Sequence, residues 1–370
     1  MSKSAYIGID GTARKVKKIY VGVDDVARKV KKAYIGIGGV ARLFYSGGGG
    51  GEPLYYGTAT VLSEARQYIA GTTVGNYALF GGGYRGSASA TVDAYDTSLT
   101  RTTPTALGIS RYYIAATAIG NYALFGGGRT SAYASAVDAY DTSLTRTTQT
   151  DLSRGRQLLA AVTVGNYALF GGGAASSRFA IVDAYDTSLT QTTQTALSAK
   201  RDSLVATAIG NYALFGGGRT SSSVYSAAVD AYDTSLTHTT QTALSVARYI
   251  LAATSVGNYA LFGGGAASSQ YDVVDAYDTS LTHTTQTALS AKRGGLAATT
   301  IVDHALFGGG HTGNYSSVVD AYNTSLTRTT LTALSAARQS LAATTVGGYA
   351  LFGGGNAGSV SDVVDVYQFT

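Results

Sequence analysis

Cysteine and tryptophan are both absent from the 370-residue sequence, and only 13% of its residues are charged. Without cysteine, the chain can form no disulfide bond and offers no thiolate ligand to a metal ion. No apolar stretch is long enough to span a bilayer, and the first residues lack the apolar core of a secretory signal. We therefore expect the product to stay in the cytosol unless it leaves by cell lysis or inside an assembled particle.

Positive charge is concentrated at the start of the chain. Residues 1–45 carry ten Lys and Arg against three Asp, a net charge of +7, whereas the remainder carries −2. Glycine, serine, threonine and tyrosine are abundant in that remainder. This composition predicts a folded, β-rich body with a hydroxyl-rich surface rather than a disordered chain.

The basic leader contains three copies of a 14-residue repeat in residues 5–45. Each copy predicts a short strand, a turn and a second strand that carries basic residues. Fourteen residues cannot bury a core, so we predict that residues 1–45 fold by self-association or by docking on another protein. Residues 46–53, which are rich in glycine, form a predicted linker.

Basic side chains of the leader are the predicted anchoring residues. They are Arg14, Lys15, Lys17, Lys18, Arg28, Lys29, Lys31 and Lys32. They suit an acidic docking surface on a partner, although such a run usually forms a solvated strand face. Because tyrosines are interleaved with them, nucleic-acid binding through the leader remains an alternative.

The rest of the chain is organised by the phrase Ala-Leu-Phe-Gly-Gly-Gly, which occurs seven times. The copies begin at Ala78, Ala123, Ala168, Ala213, Ala260, Ala305 and Ala350. Successive copies are 45 residues apart, except for one step of 47, and such a period indicates a solenoid, propeller or array. The first repeat divides into four predicted strands: Arg66–Val74, Tyr77–Gly81, Thr91–Thr97 and Thr100–Ala106. The sequence therefore predicts an all-β, seven-bladed β-propeller over residues 54–370.

The two ends of this region predict how the propeller closes. The last repeat stops at Thr370 after its third strand, and residues 54–63 resemble a fourth strand alone. We predict that this N-terminal strand completes the last blade and leaves no open sheet edge.

Three features of the repeats resemble the kelch repeat. They are the Gly-Gly after the second strand, the third strand Val-Asp-Ala-Tyr-Asp, and the arginine that opens each first strand. The tryptophan usual in kelch fourth strands is absent. The leader is similar to short repeats of bacteriophage tail and prophage proteins, and that resemblance implies a virion or tail-fibre component.

Two residues recur in every repeat. The arginines are Arg66, Arg111, Arg156, Arg201, Arg248, Arg293 and Arg338. The aspartates are Asp93, Asp138, Asp183, Asp230, Asp275, Asp320 and Asp365. A ring of arginines at the channel mouth could bind an anionic glycan. Because both series repeat without exception, we favour the alternative, a structural ion pair in each blade.

Other polar residues predict no metal site. Each Asp-Thr-Ser-Leu-Thr loop supplies one carboxylate, which is too few for calcium, so we predict turn capping. The four histidines lack metal-binding spacing, and His238 and His283 stand where other repeats carry Arg or Gln. We interpret these two histidines as solvated substitutions, and we expect no metal and no cofactor.

Seven internal copies can be compared with one another. Variation is concentrated in two places: the loop between strands two and three, and the two residues after each arginine. The turn between strands one and two and the turn between strands three and four are nearly constant. In an antiparallel blade these groups lie at opposite ends, so we predict a variable rim and a constant rim. The variable rim has the composition of binding loops, although unconstrained drift is the alternative. The candidate ligand-binding residues are Tyr84, Arg85, Tyr112, Tyr113, Arg129, Tyr133, Arg178, Phe179, Arg219, Tyr225, Tyr249, Gln270, Tyr271, His311 and Tyr315.

Enzymatic activity is not expected. Galactose-oxidase-like propellers need a Tyr–Cys cross-link, and sialidase-type Asp boxes need tryptophan. Catalysis needs one asymmetric arrangement of catalytic side chains, and these repeats are nearly symmetric. We predict a non-enzymatic recognition module, a phage virion or tail-fibre propeller that binds a bacterial surface glycan or, second, a protein. The leader would attach it to virion or tail proteins and favour a homo-oligomer; a structural decoration protein without a specific ligand is the runner-up.

Overall fold

The structure is a computed structural model that describes residues 51–369 throughout and six strands within residues 1–50. The chain divides into two compact units, Met1–Glu52 and Pro53–Thr370. In the first unit, each 14-residue repeat forms an antiparallel hairpin. The hairpins are Tyr6–Ile9 with Thr12–Lys15, Tyr20–Val23 with Val26–Lys29, and Lys32–Ile37 with Val40–Ser46.

The predicted anchoring residues divide between these hairpins and the undescribed segments. Arg14, Lys15, Arg28, Lys29 and Lys32 belong to the strands. The other three, Lys17, Lys18 and Lys31, lie outside the described residues.

The second unit is a seven-bladed β-propeller of four-stranded antiparallel sheets, as predicted. No helix occurs within residues 51–369, and no helix that could span a membrane is found among the described residues. The first strands lie innermost, against one another around a central channel: Ala70–Val74, Ala115–Ile119, Ala160–Val164, Val205–Ile209, Ala252–Val256, Ala297–Ile301 and Ala342–Val346. We number the blades 1 to 7 in this order.

The remaining strands continue each blade outward. The second strands are Tyr77–Gly81, Tyr122–Gly126, Tyr167–Gly171, Tyr212–Gly216, Tyr259–Gly263, His304–Gly308 and Tyr349–Gly353. The third strands are Val92–Tyr95, Val137–Asp141, Val182–Asp186, Val229–Asp233, Val274–Asp278, Val319–Asn323 and Val364–Phe369. The fourth strands are Arg101–Thr102, Arg146–Thr148, Gln191–Thr193, His238–Gln241, His283–Gln286, Arg328–Leu331 and Pro53–Thr58.

The N-terminal strand closes the ring, which confirms the prediction. Pro53–Thr58 pairs antiparallel with the third strand of blade 7, and Pro53 lies opposite Phe369. Third strands run from the variable rim to the constant rim, so the chain enters the propeller at the constant rim.

The observed strands are shorter than predicted. The first strand of blade 1 begins at Ala70 rather than Arg66, because Tyr68 has a φ of 55°, which a β-strand does not accommodate. Its fourth strand is only Arg101–Thr102. The closing strand ends at Thr58, and the chain then crosses to blade 1 through isolated backbone hydrogen bonds such as Leu62 N to Asp362 O, 2.8 Å.

Neighbouring blades pack through the repeated phrase. Its Ala, Leu and Phe are fully buried in every blade, because each second strand has a neighbouring sheet on both faces. The phenylalanine ring of one blade lies against the first glycine of the preceding blade. A Cβ atom added at Gly81 would come within 2.6 Å of the Phe125 ring, so only glycine fits there.

A hydrogen bond also joins each blade to the one before it. The buried third-strand tyrosine donates its hydroxyl proton to a backbone carbonyl that follows the preceding blade's fourth strand. Tyr95, for example, donates to Thr60 O at 2.7 Å, and Tyr140 to Thr105 O at 2.7 Å. Burial raises the pKa of these tyrosines, so they remain neutral donors.

The constant rim is held by local capping and by contacts between blades. Asp141 Oδ1 accepts hydrogen bonds from the backbone N–H groups of Ser143 and Thr145, at 2.8 and 2.9 Å, which confirms the predicted turn capping. Thr142 of the same loop packs against Gly75 in the turn of the preceding blade. The constancy of this rim therefore has a structural cause, and the contrast between the rims does not by itself indicate recognition.

Candidate binding site at the channel mouth

The seven repeated arginines are paired with the seven repeated aspartates, as favoured from the sequence. The pairs are Arg66–Asp93, Arg111–Asp138, Arg156–Asp183, Arg201–Asp230, Arg248–Asp275, Arg293–Asp320 and Arg338–Asp365. Every arginine side chain in them is fully buried. Each also donates from Nη2 to the carbonyl of the second-strand phenylalanine, as Arg248 does to Phe262 O at 3.0 Å. These arginines are structural cross-links within the blades, and none is exposed to a ligand.

Each of these aspartates has a further side-chain partner on the fourth strand. The partners are Arg101, Arg146, Gln191, His238, His283, Arg328 and, in the closing strand, Tyr55. The interpretation of His238 and His283 as solvated is therefore wrong. Their Nε2 atoms lie 2.7 Å from the buried carboxylates of Asp230 and Asp275, and each side chain is only 15% exposed.

The entrance of the channel at the variable rim is framed by a ring of backbone hydrogen bonds. One residue per blade has a left-handed backbone, and its N–H donates to the carbonyl of its counterpart in the preceding blade at 2.8–3.3 Å. We call this ring the collar: Tyr68, Tyr113, Leu158, Ser203, Ile250, Gly295 and Ser340. Left-handed backbone costs about 1–2 kcal/mol for a residue other than glycine. The closed ring of hydrogen bonds offsets that cost and holds the entrance in one shape.

A cavity of about 240 Å³ lies at this entrance. Its wall is formed by the collar and by a ring of buried aliphatic side chains that follow it in the chain: Ile69, Ile114, Leu159, Leu204, Leu251, Leu296 and Leu341. The collar side chains differ around the ring. Tyr68 and Tyr113 are adjacent, whereas the remaining positions carry three small residues, Ser203, Gly295 and Ser340, and two aliphatic ones, Leu158 and Ile250. The cavity is therefore on the propeller axis, and its wall is asymmetric.

Tyrosines from blades 1 and 2 form a connected group beside the cavity. The ring centroids of Tyr68 and Tyr113 are 4.3 Å apart, those of Tyr112 and Tyr113 are 5.0 Å apart, and those of Tyr84 and Tyr112 are 5.1 Å apart. Burial and a hydrogen bond with Tyr68 raise the pKa of Tyr113. All four rings are only partly exposed, so they present a rigid aromatic surface.

The other candidates are distributed around the same rim. Arg129 lies over the Tyr133 ring at 5.4 Å, and the side chain of Arg85 is half-exposed beside Glu64. The His311 and Tyr315 rings are 5.9 Å apart. Phe179, Gln270 and Tyr271 lie in the equivalent loops of blades 3 and 5.

A last group lies on blades 3 to 5. The Tyr225 and Tyr249 rings stack at 5.2 Å, and Arg219 lies over Tyr249 at 5.4 Å. Arg219 and Arg178 both contact the buried carboxylate of Asp202.

Short bridges tie each variable loop to the residue after the buried arginine, as Gln67 is tied to Tyr84. The prediction that these positions share one rim is therefore correct. Two residues of this rim, Tyr68 and Asp202, were not among the candidates. Tyr68 could have been found because it occupies in blade 1 the position of Tyr113, and Asp202 because it is the one acidic residue at its position.

No protein-family model and no curated protein sequence matches this chain. Among solved structures, it is similar to one described as "Structure of YjhT", with a TM-score of 0.61 and 12% sequence identity. The likeness covers 74% of this chain and 99% of YjhT. At this identity it supports the fold alone, and by fold the protein is a seven-bladed β-propeller.

Proposed function

We propose that this propeller is a non-enzymatic recognition module that binds a bacterial surface glycan, or else a surface protein, at its channel mouth. The observation that carries the proposal is the asymmetric collar, which leads into a ring of aliphatic side chains. Two tyrosines lie side by side in the collar, and three of its seven positions carry small residues. Concave sites with an apolar base and a few polar groups are the usual form of ligand pockets.

Sugar rings suit this arrangement physically. A tyrosine ring offers a large contact area and loses little side-chain entropy on binding. The collar tyrosines are already held by one another, so binding requires little further ordering. Each engaged tyrosine would stabilise the complex by about 1–3 kcal/mol, the usual cost of losing a good anchor.

The resemblance of the leader to short repeats of phage tail and prophage proteins supports a place in a virion or tail fibre. The propeller begins at Pro53 on the constant rim, at the end of the disc opposite the mouth. The point where the leader joins the propeller therefore does not lie on the rim that carries the mouth. The second candidate function is structural decoration without a ligand. It is favoured by the packing contacts at the constant rim, because they explain why that rim varies less than the other without any role for ligand binding.

Replacing Tyr112 and Tyr113 together with alanine is expected to weaken attachment of the full-length protein to host cells at least about tenfold, because two contacting rings beside the mouth are lost. Whole-cell binding, guided by a glycan array that identifies the ligand, measures this effect. Melting curves would show that the variant remains folded.

A second tyrosine pair provides the control. Tyr56 and Tyr349 also contact each other, at 5.5 Å, but lie on the closing strand and the second strand of blade 7. Replacing both with alanine should leave attachment unchanged. Equal attachment by the two double variants would favour the decoration protein.

Removing the leader is expected to change the mass of the protein in solution. The three hairpins are too small to bury a core alone, so we expect full-length protein to self-associate and the 46–370 fragment to be monomeric. Light scattering coupled to chromatography would measure both masses. Monomers in both cases would exclude self-association and leave docking on a partner protein.

A further inference from the structure

One sector of the variable rim departs from the repeat in its charge. The residue after the buried arginine is aspartate in blade 4, Asp202, and it is uncharged in every other blade. The counterparts are Gln67, Tyr112, Gln157, Tyr249, Gly294 and Gln339. A carboxylate at one position in seven is not required by the blade fold.

Two arginines from different blades converge on Asp202. Arg219 Nε donates to Asp202 Oδ1 at 2.7 Å, and Arg178 Nε, from the loop of blade 3, lies 2.6 Å from Oδ2. Ser203 Oγ also donates to Oδ1, at 2.8 Å. The Asp202 side chain is 2% exposed. One buried carboxylate therefore holds two guanidinium groups, and the cluster keeps one positive charge in excess.

The outer edges of these two guanidinium groups are available. Both arginines turn Nε toward Asp202: Arg219 makes a hydrogen bond, and Arg178 makes an ion pair without hydrogen-bond geometry. The Nη atoms of neither one donate a hydrogen bond to another residue within 51–369. Their side chains are 23% and 29% exposed. A guanidinium held through Nε still presents its Nη edge, which matches the paired oxygens of a carboxylate, phosphate or sulfate.

The cluster adjoins the channel mouth. Ser203 follows Asp202 directly, lines the cavity and belongs to the collar. Tyr249, under Arg219, supplies another aromatic face on the same side. In a seven-membered ring, blade 4 lies across the channel from blade 1, which carries Tyr68. Neither arginine lines the cavity, so a ligand that contacts the tyrosines in the mouth must extend past Ser203 to reach the arginine pair.

We propose that Arg178 and Arg219 bind the anionic group of a saccharide ligand whose ring occupies the mouth. Asp202 is a positioning residue, because it aligns both guanidinium groups and does not face the ligand. This inference rests on the proposed function for the saccharide, and it adds the requirement of a negative charge. The anionic group is a carboxylate, a phosphate or a sulfate, which share two oxygens at a spacing that fits the Nη edges.

The test measures binding of small defined probes to the full-length protein by calorimetry or NMR titration at low salt. The probes are glucuronic acid, glucose 6-phosphate and glucose 6-sulfate, with neutral glucose as the reference. We expect at least one charged probe to bind about tenfold or more tightly than glucose. The probe that does so identifies the anionic group.

The double variant Arg178→Gln/Arg219→Gln should bind that probe no better than glucose. Arg154→Gln, which removes an exposed arginine that is not among the candidate residues, should bind it like the wild type. Melting curves would exclude unfolding. Equal binding of charged and neutral probes, no binding of any probe, or an unchanged affinity in the double variant would overturn the proposal.

Cell attachment separates this inference from the proposed function. If Tyr112→Ala/Tyr113→Ala loses attachment and the arginine variant retains it, recognition stands and the anion site is wrong. If the arginine pair binds the charged probe but no variant alters attachment, the anion site stands and surface recognition fails.

Discussion

Replacing Asp275 with asparagine is expected to lower the free energy of unfolding by about 3–5 kcal/mol at pH 7, because it leaves the charge of Arg248 buried without compensation. The Asp275 carboxylate receives Arg248 Nη2 and His283 Nε2, both at 2.7 Å, and the backbone N–H of Ser245 at 3.0 Å. An asparagine would also turn an NH₂ group toward one of these donors. Denaturant unfolding of the two proteins measures the difference.

The same blade contains a matched control. Asp278 caps the constant-rim turn through hydrogen bonds from Ser280 N and Thr282 N, at 2.8 and 2.9 Å. In blade 6, Asn323 makes the equivalent two bonds. Asp278→Asn should therefore change stability by less than about 0.5 kcal/mol. Similar small effects of the two substitutions would show that the buried pair does not hold the blade.

The effect of Asp275→Asn should depend on pH. Burial alone would raise the pKa of Asp275, but the Arg248 charge and the hydrogen bond from His283 hold the pKa below its usual value. Such a carboxyl contributes stability that is complete above its unfolded pKa of about 3.9 and is lost as the pH falls through its lower folded pKa. The difference between wild type and variant should shrink below about pH 4.

Deleting residues 1–63 is expected to abolish cooperative folding or to cause aggregation, because it exposes the sheet edge of blade 7. The deletion removes the closing strand and the hydrogen bond from the Tyr55 hydroxyl to Asp365 Oδ1, 2.7 Å. It also removes Leu62, which is buried between blades 7 and 1. Thermal unfolding and light scattering of the 64–370 fragment measure the outcome.

The 46–370 fragment is the control, because it lacks the leader and keeps the closing strand. It should melt like the full-length propeller. A milder variant, Tyr55→Phe, keeps the strand and removes one donor from a buried carboxylate, with an expected loss of about 1–3 kcal/mol. Burial and the bond to Asp365 raise the pKa of Tyr55 to about 12, so this donor remains at neutral pH. Identical melting of the 64–370 and 46–370 fragments would contradict the closure.

The seven blades serve as an internal comparison that separates structure from function. Positions that are the same in every blade form the Arg–Asp pairs, the phenylalanine–glycine contacts and the tyrosine hydrogen bonds. Chemistry available to a ligand therefore belongs to positions that break the repeat. The tyrosines of blades 1 and 2 and the acid between two arginines in blade 4 are the largest such departures.

The sequence alone determined the blade number, the strand order, the closure and the Arg–Asp pairing. All four follow from a repeat of fixed length, because a residue needed once per blade must recur once per period. Strand ends were overestimated, since the left-handed backbone at Tyr68 depends on a hydrogen bond from its N–H to Ser340 O of blade 7. No local pattern around residue 68 contains that partner.

The contacts that the variable positions make are visible only in the folded ring. His238 resembles a solvated replacement for arginine until the buried Asp230 is found 2.7 Å away. Tyr68 and Tyr113 are 45 residues apart in the chain, yet their rings touch at the channel mouth. A ring of blades brings together residues that occupy equivalent positions in neighbouring repeats. The sequence shows that the positions are equivalent, but it does not show how far apart their side chains lie. Side-chain geometry at the axis, and with it the candidate site, arises only when the ring closes.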